Sequence, residues 1–482
     1  MDALMWLDLL GRAGAVAMVA TTIVYLIVLT VLSHALARRR RTVARGVVGR
    51  HSRGVGNRHV RGRHARLLCS SRVPANVGAL PPPPPPEEDP LGPFHVVVLM
   101  PCLNEEAVIG PSLARLLAEK DPALTVMVID DGSDDATSDI VRSVPDSRVR
   151  LLRREPPRAR QGKGEALNDA LAVVRREWAS VDPTRVIVGV VDADGWLDPK
   201  AWHVVRETFA DPGTGALQLG VRISNRGTSL LARMQDVEFV TVTGIFQEAR
   251  RHLGSVGMGG NAQFARLATL DALGERPWTR SLTEDFDLGI RLNTTRWANE
   301  FSGRAAVHQE GVTSLTRLVR QRTRWFQGNL QARHLLPRIA RQMRGRARAD
   351  TLFQVLVPYL MLAGSLMTLS FVIVLLLAIA GAFAGTSYAW LWVPSSYLLA
   401  FGPALVDAVV YHRTVRAEGV GLLRCLLWGH LFLLYGLLAG WYGWRALGRE
   451  IVGRSGWAKT AREAPLPELP LAEGAVSTEV MA

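Results

Sequence analysis

Cysteine is scarce in this chain of 482 residues. Cys69, Cys102 and Cys425 stand far apart, with no spacing that would build a disulfide framework or a zinc site, so a reducing compartment is the simpler setting. Acids are also short, 43 Asp and Glu against 57 Lys and Arg, for a net charge of +14. Such a balance points first to nucleic acid. However, a dozen of the arginines lie between Arg38 and Arg72, a stretch without one acid, and charge elsewhere is nearly even. The basic character therefore belongs to one segment, and a specific nucleic-acid partner is not expected.

Long apolar runs are present, and the mean hydropathy is positive. The first run, about Ala13 to Ala37, is followed at once by "RRRR" and has no small-residue cleavage site behind it. It reads as a retained transmembrane anchor (residues 1–37), and the arginines keep the middle of the chain in the cytoplasm. Residues 38–93, rich in Gly and Arg and ending in "PPPPPPEEDP", cannot bury enough apolar surface to offset ordering entropy. They are expected to form a disordered linker that touches anionic lipid or water. After Asp350 come three apolar stretches, about Leu352 to Ala384, Tyr388 to Val410 and Leu422 to Ala446, each long enough to span a bilayer. Pro358 would make the first begin as an interfacial segment. Three crossings would place the tail outside, while the basic "GREIVGRSGWAKTAR" asks to stay inside. The expected layout is completed by a cytosolic domain over 94–304, interfacial helices over 305–350, transmembrane helices over 351–450 and a tail over 451–482. The setting is a multi-pass protein of the cell membrane.

Within the cytosolic block, "HVVVLMP", "LTVMVIDDGS" and "TRVIVGVVDADG" are β-branched runs that end in turn or acidic residues, as buried parallel strands do. They imply an α/β domain. Its ligand site should lie at the carboxyl ends of the strands, where Asn104, Glu105, Asp130, Asp131, Asp192 and Asp194 all fall. If the strand continues extended, Asp192 and Asp194 share a side and can meet on one hard cation, Mg2+ or Mn2+; the competing reading of "DADG" is a plain turn. Asp130 and Asp131 can accept from a ribose or base edge, and Lys163, flanked by glycines, suits a diphosphate. Asp134 and Asp135 are expected to cap the next helix. In "SLTEDFDLGIRL", Thr283 is the expected N-cap, with Glu284, Asp285 and Asp287 in the first turn. The Gly-rich 254–264 segment is either a flexible loop or a place where backbone approaches ligand. "LTRLVRQRTRWFQGN" places Leu315, Leu318, Val319, Trp325 and Phe326 near one helical face with arginines around it, as a basic helix on a membrane surface would.

In order, "PCLNE", "VIDDGSDD", "VVDADG", "LTEDFDLGIRL" and "QRTRW" resemble the motif series of membrane-bound family 2 glycosyltransferases, the group of cellulose, chitin and hyaluronan synthases. The resemblance covers about Val96 to Gly328. It implies a GT-A-type α/β glycosyltransferase domain joined to transmembrane α-helices, a nucleotide-sugar donor, usually UDP-linked, and Mg2+ or Mn2+. Carried over residue by residue, Glu105, Asp130 and Asp131 sit by the nucleoside, and Asp192 and Asp194 hold diphosphate and metal. Lys163 lies near the phosphates, Asp285 is the general base, and Gln321, Arg324 and Trp325 belong to the acceptor and diphosphate end. Glu284 is then a positioning acid and Asp287 a structural partner for an Arg or a backbone N–H. The implied activity is inverting hexosyl transfer to a growing polysaccharide. Two alternatives stand beside it: transfer of one or a few sugars to a membrane lipid, and an inactive nucleotide-sensing or scaffold protein.

Overall fold

The computed structural model describes residues 94–119, 123–383 and 393–454. The expected anchor, linker and tail beyond Arg454 lie outside the described residues. One eight-stranded sheet organises the domain, in the order β3-β2-β1-β4-β7-β6-β8-β5. Its strands are β1 (His95–Cys102), β2 (Leu124–Asp130), β3 (Val149–Arg153), β4 (Val186–Val190), β5 (Trp196–Leu197), β6 (Thr214–Ile223), β7 (Gln263–Arg266) and β8 (Ala298–Gln309).

The three apolar runs are β1, β2 and β4, and all pair in parallel. Alternation along β1 explains their near-continuous hydrophobicity. Val96, Val98 and Met100 enter one core cluster while Val97 and Leu99 enter another on the opposite face, so neither face is left to water. Helices α1 (Ile109–Leu117), α2 (Thr137–Arg142), α3 (Lys163–Glu177) and α4 (Ala201–Phe209) supply those cores. The other half of the sheet is mixed: β7 runs antiparallel to β4 and β6, and β6 pairs in parallel with β8. β8 continues to Gln309, past the boundary expected at residue 304.

Helix α5 (Leu230–Glu238) passes through a π-helical turn, Phe239–Thr243, into α6 (Gly244–Leu253). Then come α7 (Leu267–Asp271), α8 (Glu284–Leu292), α9 (Leu315–Gln331) and α10 (Leu336–Gln342). The three C-terminal apolar stretches form α11 (Gly345–Phe383), α12 (Val393–Val415) and α13 (Leu422–Ile451). Among the described residues, Gly345–Leu366 and Leu422–Ile451 are long and apolar enough to cross a membrane by length and composition. Pro358 lies inside α11 without ending it. The start of α11 is tied to the domain at Asp350, which accepts from Ser255 Oγ at 2.8 Å and Arg250 Nε at 3.2 Å.

Candidate active site

The carboxyl ends of β1 and β2 are laced to each other. Asn104, at φ 54°, donates its N–H to Ser133 Oγ at 2.9 Å and accepts from Asp134 N at 2.9 Å. Glu105, buried, donates its N–H to Thr137 Oγ1 at 2.8 Å. Asp130 is fully buried and its carboxylate accepts from Ser133 N (2.8 Å), Arg153 Nη1 (2.8 Å) and Ser138 Oγ. Burial pushes this carboxyl up, but the Ser133 and Ser138 hydrogen bonds and Arg153 hold it below its ordinary value. Asp131 accepts from Arg154 and from Arg160 N at 3.0 Å; there burial wins and the carboxyl is raised. Of the two acids expected by a nucleoside, Asp130 is the more heavily engaged within the protein. Its oxygens are taken by the loop it anchors, because a buried carboxylate must find donors inside the protein. Neither of the two acids expected as caps holds the N-cap of α2, which is Ala136; Asp135, one residue earlier, accepts from Thr137 N at 3.0 Å and Glu106 N at 3.1 Å. Asp134 pairs with Arg160 instead.

At the end of β4 the chain does not stay extended. Gly195 N donates to Asp192 O at 2.8 Å and closes a turn, so strand alternation does not place Asp192 and Asp194 side by side. Asp194 is buried in that turn. Asp192 keeps its carboxylate about a third exposed, at 34%, and holds Lys163 Nζ at 2.6 Å through Oδ1. Lys163 opens α3 and also donates to Gly260 O at 3.0 Å. Burial disfavours its charge, but Asp192, Glu284 and Asp285 more than offset this and raise its pKa. The Gly-rich segment is thus a close-approach loop. Gly260 takes φ +78°, and a Cβ there would lie 2.6 Å from Asp285 Oδ2.

Helix α8 begins with Glu284 and Asp285. Thr283 holds the N-cap position but makes no capping bond; its Oγ1 is buried without a partner. The hydroxyl is displaced from that task by α9. A Cβ on Gly328 would meet Thr283 Oγ1 at 2.5 Å and Thr283 N at 2.6 Å, and Gln331 Oε1 accepts from Leu282 N at 3.2 Å. Burial and neighbouring Asp285 push Glu284 up to about 7, against the pull of Lys163. Burial likewise raises Asp285, again opposed by Lys163. Asp287, nearly inaccessible, pairs with Arg291 Nε at 2.7 Å and faces His334 Nε2 at 3.1 Å, a structural acid.

Helix α9 brings the remaining residues. Arg324 has its pKa lowered by burial, offset in part by Glu284, Asp285 and Asp192, and its Nε lacks a hydrogen-bond partner. Gln321 Oε1 is likewise buried and unpartnered. Arg322 grips Glu238 through two bonds of 2.9 and 2.8 Å and covers one face of Trp325 at 4.5 Å. The apolar face expected for α9 is in large part packed within the protein. Phe326, Leu318 and Val319 are buried, and Phe326 meets Tyr442 of α13 edge-on at 6.0 Å. A helix with one apolar face buries it against whatever the fold provides, and here α13 is that partner.

The structure brings Lys163, Asp192, Glu284, Asp285 and Arg324 into one charge-coupled cluster, with Gln321 and Trp325 on the same helix as Arg324. The strand-end group of Asn104, Glu105, Asp130 and Asp131 forms a second, internally bonded set. Sequence reasoning missed Asn261, whose Oδ1 accepts from Asp192 N at 3.1 Å and whose Nδ2 donates to Gln309 at 2.9 Å. It also missed the stack of Arg115, Trp196 and His308, with Trp196 and His308 ring centroids 5.4 Å apart and His308 Nε2 2.8 Å from Asp198. A Trp directly after "DADG" was the only signal for that stack.

A half-parallel, half-mixed sheet with acids at its strand ends accords with the expected GT-A-type domain, and residues 93–328 match the family described as glycosyltransferase like family 2. Residues 93–328 are thus a family 2 glycosyltransferase domain. It is 34% identical over 242 residues to a beta-monoglucosyldiacylglycerol synthase of Synechocystis sp., covering 49% of this chain and 48% of that protein. It is 27% identical over 237 residues to a poly-beta-1,6-N-acetyl-D-glucosamine synthase of Staphylococcus aureus, covering 48% and 54%. The chain thus spans about half the length of the curated relatives it matches. Among solved structures it is similar to a Pyrobaculum calidifontis mannosyltransferase in complex with GDP-Man and Mn2+, at 18% identity and TM-score 0.48, covering 72% of this chain and 89% of that one.

Proposed function

We propose that this protein transfers a hexose from a nucleotide-sugar, UDP-linked by preference, to an acceptor hydroxyl at a membrane, with inversion of the anomeric carbon. The observation that carries the reading is the cluster of Lys163, Asp192, Glu284, Asp285 and Arg324. Two carboxyls are held there with raised proton affinity beside two cations. A carboxylate of raised pKa is a better base than an exposed one, and Asp285 takes the acceptor proton. Glu284, one residue earlier, sets its field and position. In this reading Lys163 and Arg324, both partly withdrawn from solvent beside the acids, would meet the negative charge that develops on a departing diphosphate. Trp325, partly exposed, can stack on a sugar ring, and Gln321 has an unsatisfied acceptor for a hydroxyl.

Asp192, with Asp194 in the same turn, would hold Mg2+ or Mn2+. Among the described residues no group of three or more His, Cys, Asp or Glu side chains forms a metal cage. Asp192, solvent-accessible beside the Gly260 carbonyl, suits a hard cation that keeps water and phosphate in its shell. Such an ion, when bound, neutralises charge on the diphosphate.

For the acceptor, the motif series supports a growing polysaccharide. The higher identity to the glucosyldiacylglycerol synthase, 34% against 27% for the polysaccharide synthase, favours a membrane lipid receiving a single sugar. An intact charge cluster argues against an inactive scaffold. The deciding experiment incubates detergent-purified protein with UDP- and GDP-sugars, Mg2+ or Mn2+, and either diacylglycerol or oligosaccharide, measuring nucleotide release and product mass. Long products from oligosaccharide support polymer synthesis, and a monoglycosylated lipid supports the lipid reading. No nucleotide release from any donor overturns both.

A further inference from the structure

Helix α13 passes the length and composition requirements of a membrane crossing, yet one face of it is bound to the domain along nearly its whole length. Near its start, Cys425 is fully buried in a cluster with Met234 and Val237 of α5, and the Arg233 guanidinium lies 4.5 Å over Trp428. Midway, Tyr435 OH donates to Glu238 at 2.9 Å, the carboxylate that also grips Arg322. Further on, Gly443 closes against Phe326, where a Cβ would meet the ring at 3.1 Å. At the far end Glu450 accepts from Gln331 at 3.1 Å, Gln327 at 3.2 Å and Arg333 at 3.0 Å.

From Cys425 to Glu450 a helix rises about 37 Å, at roughly 1.5 Å per residue. A bilayer's hydrocarbon is about 30 Å thick. If α13 crossed it, the domain face bonded to both ends would have to cross with it, drawing Arg233, Glu238, Arg322 and Arg333 through hydrocarbon, where each charge is costly. Among the described residues the opposite face of α13 is apolar and exposed. Leu423, Leu427, Leu434, Leu437, Trp441 and Trp444 are between 43% and 82% exposed. Their spacing of three, four or seven residues keeps them on one side of the helix. Arg424 and Arg445, both exposed, flank this stripe, as basic groups do where a helix meets anionic headgroups.

We propose that α13 does not cross the membrane but lies in its plane, docked on the catalytic domain, with the Leu423–Trp444 stripe embedded in one leaflet. The proposal rests on the membrane setting of the proposed function and deepens it. It places the acceptor end of the site, on α9 beside α13, at the lipid surface. It also removes the conflict over the tail, since both ends of α13 are held on the domain's side and the basic segment after it starts there.

The test uses the full chain in vesicles of phosphatidylcholine and phosphatidylglycerol, in a background freed of native cysteines. Nitroxide labels are placed singly at Leu427→Cys, Leu434→Cys and Trp441→Cys, and their immersion depth is read by collision with oxygen against a water-soluble relaxant. Ala417→Cys and Val452→Cys are probed with an impermeant maleimide. The expected result is one shallow depth shared by the three labels, with both maleimide sites reactive from the side of the catalytic domain. A deep Leu434 label with Ala417 and Val452 reactive from opposite sides overturns the proposal, as does full water exposure of all three labels. Nucleotide release by the same variants is scored separately. Retained release with a crossing α13 sinks the orientation alone, and absent release with a shallow α13 sinks the transferase reading alone.

Discussion

On the proposed reading, exchanging Asp285 or Asp194 would separate proton transfer from metal holding. Asp285→Asn keeps shape but cannot take a proton, so transfer should fall by about two to four orders of magnitude while UDP affinity barely changes. Asp194→Asn should instead weaken metal-dependent UDP binding together with turnover. Calorimetric UDP titration with and without Mn2+, beside a transfer assay, distinguishes them. A near wild-type rate for Asp285→Asn with a dead Glu284→Gln would move the base one residue earlier, onto the carboxyl raised to about 7. Glu284 also makes stability depend on pH. Its folded pKa lies above its ordinary 4.5, so the folded state binds the proton more tightly than the unfolded chain. The benefit is complete below pH 4.5 and is lost as pH rises toward 7. Glu284→Gln should therefore raise the melting temperature at pH 8 and change it much less at pH 4. The difference should be on the order of 1 kcal/mol, discounted from about 1.4 per pKa unit because the side chain is only half-buried. An equal effect at both pH values would remove the linkage.

Helices α8 and α9 meet through a glycine. A Cβ on Gly328 would come within 2.6 Å of Thr283 N, a backbone atom that cannot swing aside. Gly328→Ala should destabilise the protein by about 1–3 kcal/mol, the usual effect of overpacking, and should lower transfer further by moving Arg324 away from Asp285. Denaturant midpoints and kcat are the readouts; wild-type values for both would show that the helices can part cheaply. The clasp between α9 and α5 should cost more. Arg322→Met leaves the partly buried Glu238 beside Tyr435 without its cation; removing one partner of a fully buried pair costs about 3–5 kcal/mol, and the lower end of that range is expected here. The double variant Arg322→Met with Glu238→Gln should recover much of that loss, which thermal melts in detergent would show. Legibility at this level was uneven. β1, β2 and β4 announce themselves because a strand buried on both faces must be apolar throughout. β6, β7 and β8 carry Gln218, Gln263 and Asn299 in buried positions and look like loops; Gln218 bonds to Gly259 and Asn261, and Asn299 to Val256, partners more than 40 residues away.

Across the whole molecule, the described domain carries its own core, so the Arg- and Pro-rich segment ahead of it should be dispensable for chemistry. Deleting Arg39 to Pro86 should leave UDP release in detergent within about twofold, since such composition contributes little buried apolar surface. Complete loss with an intact melting transition would give that segment a part in the reaction.

From local patterns alone the chain declares an α/β domain, its strand-end acids, the "TED" and "QRTRW" positions and three C-terminal apolar helices, because periodicity, turn chemistry and short motifs act within a few residues of each other. Partnership was settled only by the tertiary structure. Asp130 spends its carboxylate on Ser133, Ser138 and Arg153, Thr283 loses its capping role to the approach of Gly328, and Lys163 binds a carbonyl at Gly260, 97 residues away. The apolar face of α9 packs against α13, and α13 leaves its other side exposed. None of these can be read from a residue's neighbours in sequence. Burial, and with it the charge state of Glu284 and Asp285, depends on which distant surfaces close over a group, and hydropathy counts apolar residues without saying what will cover them.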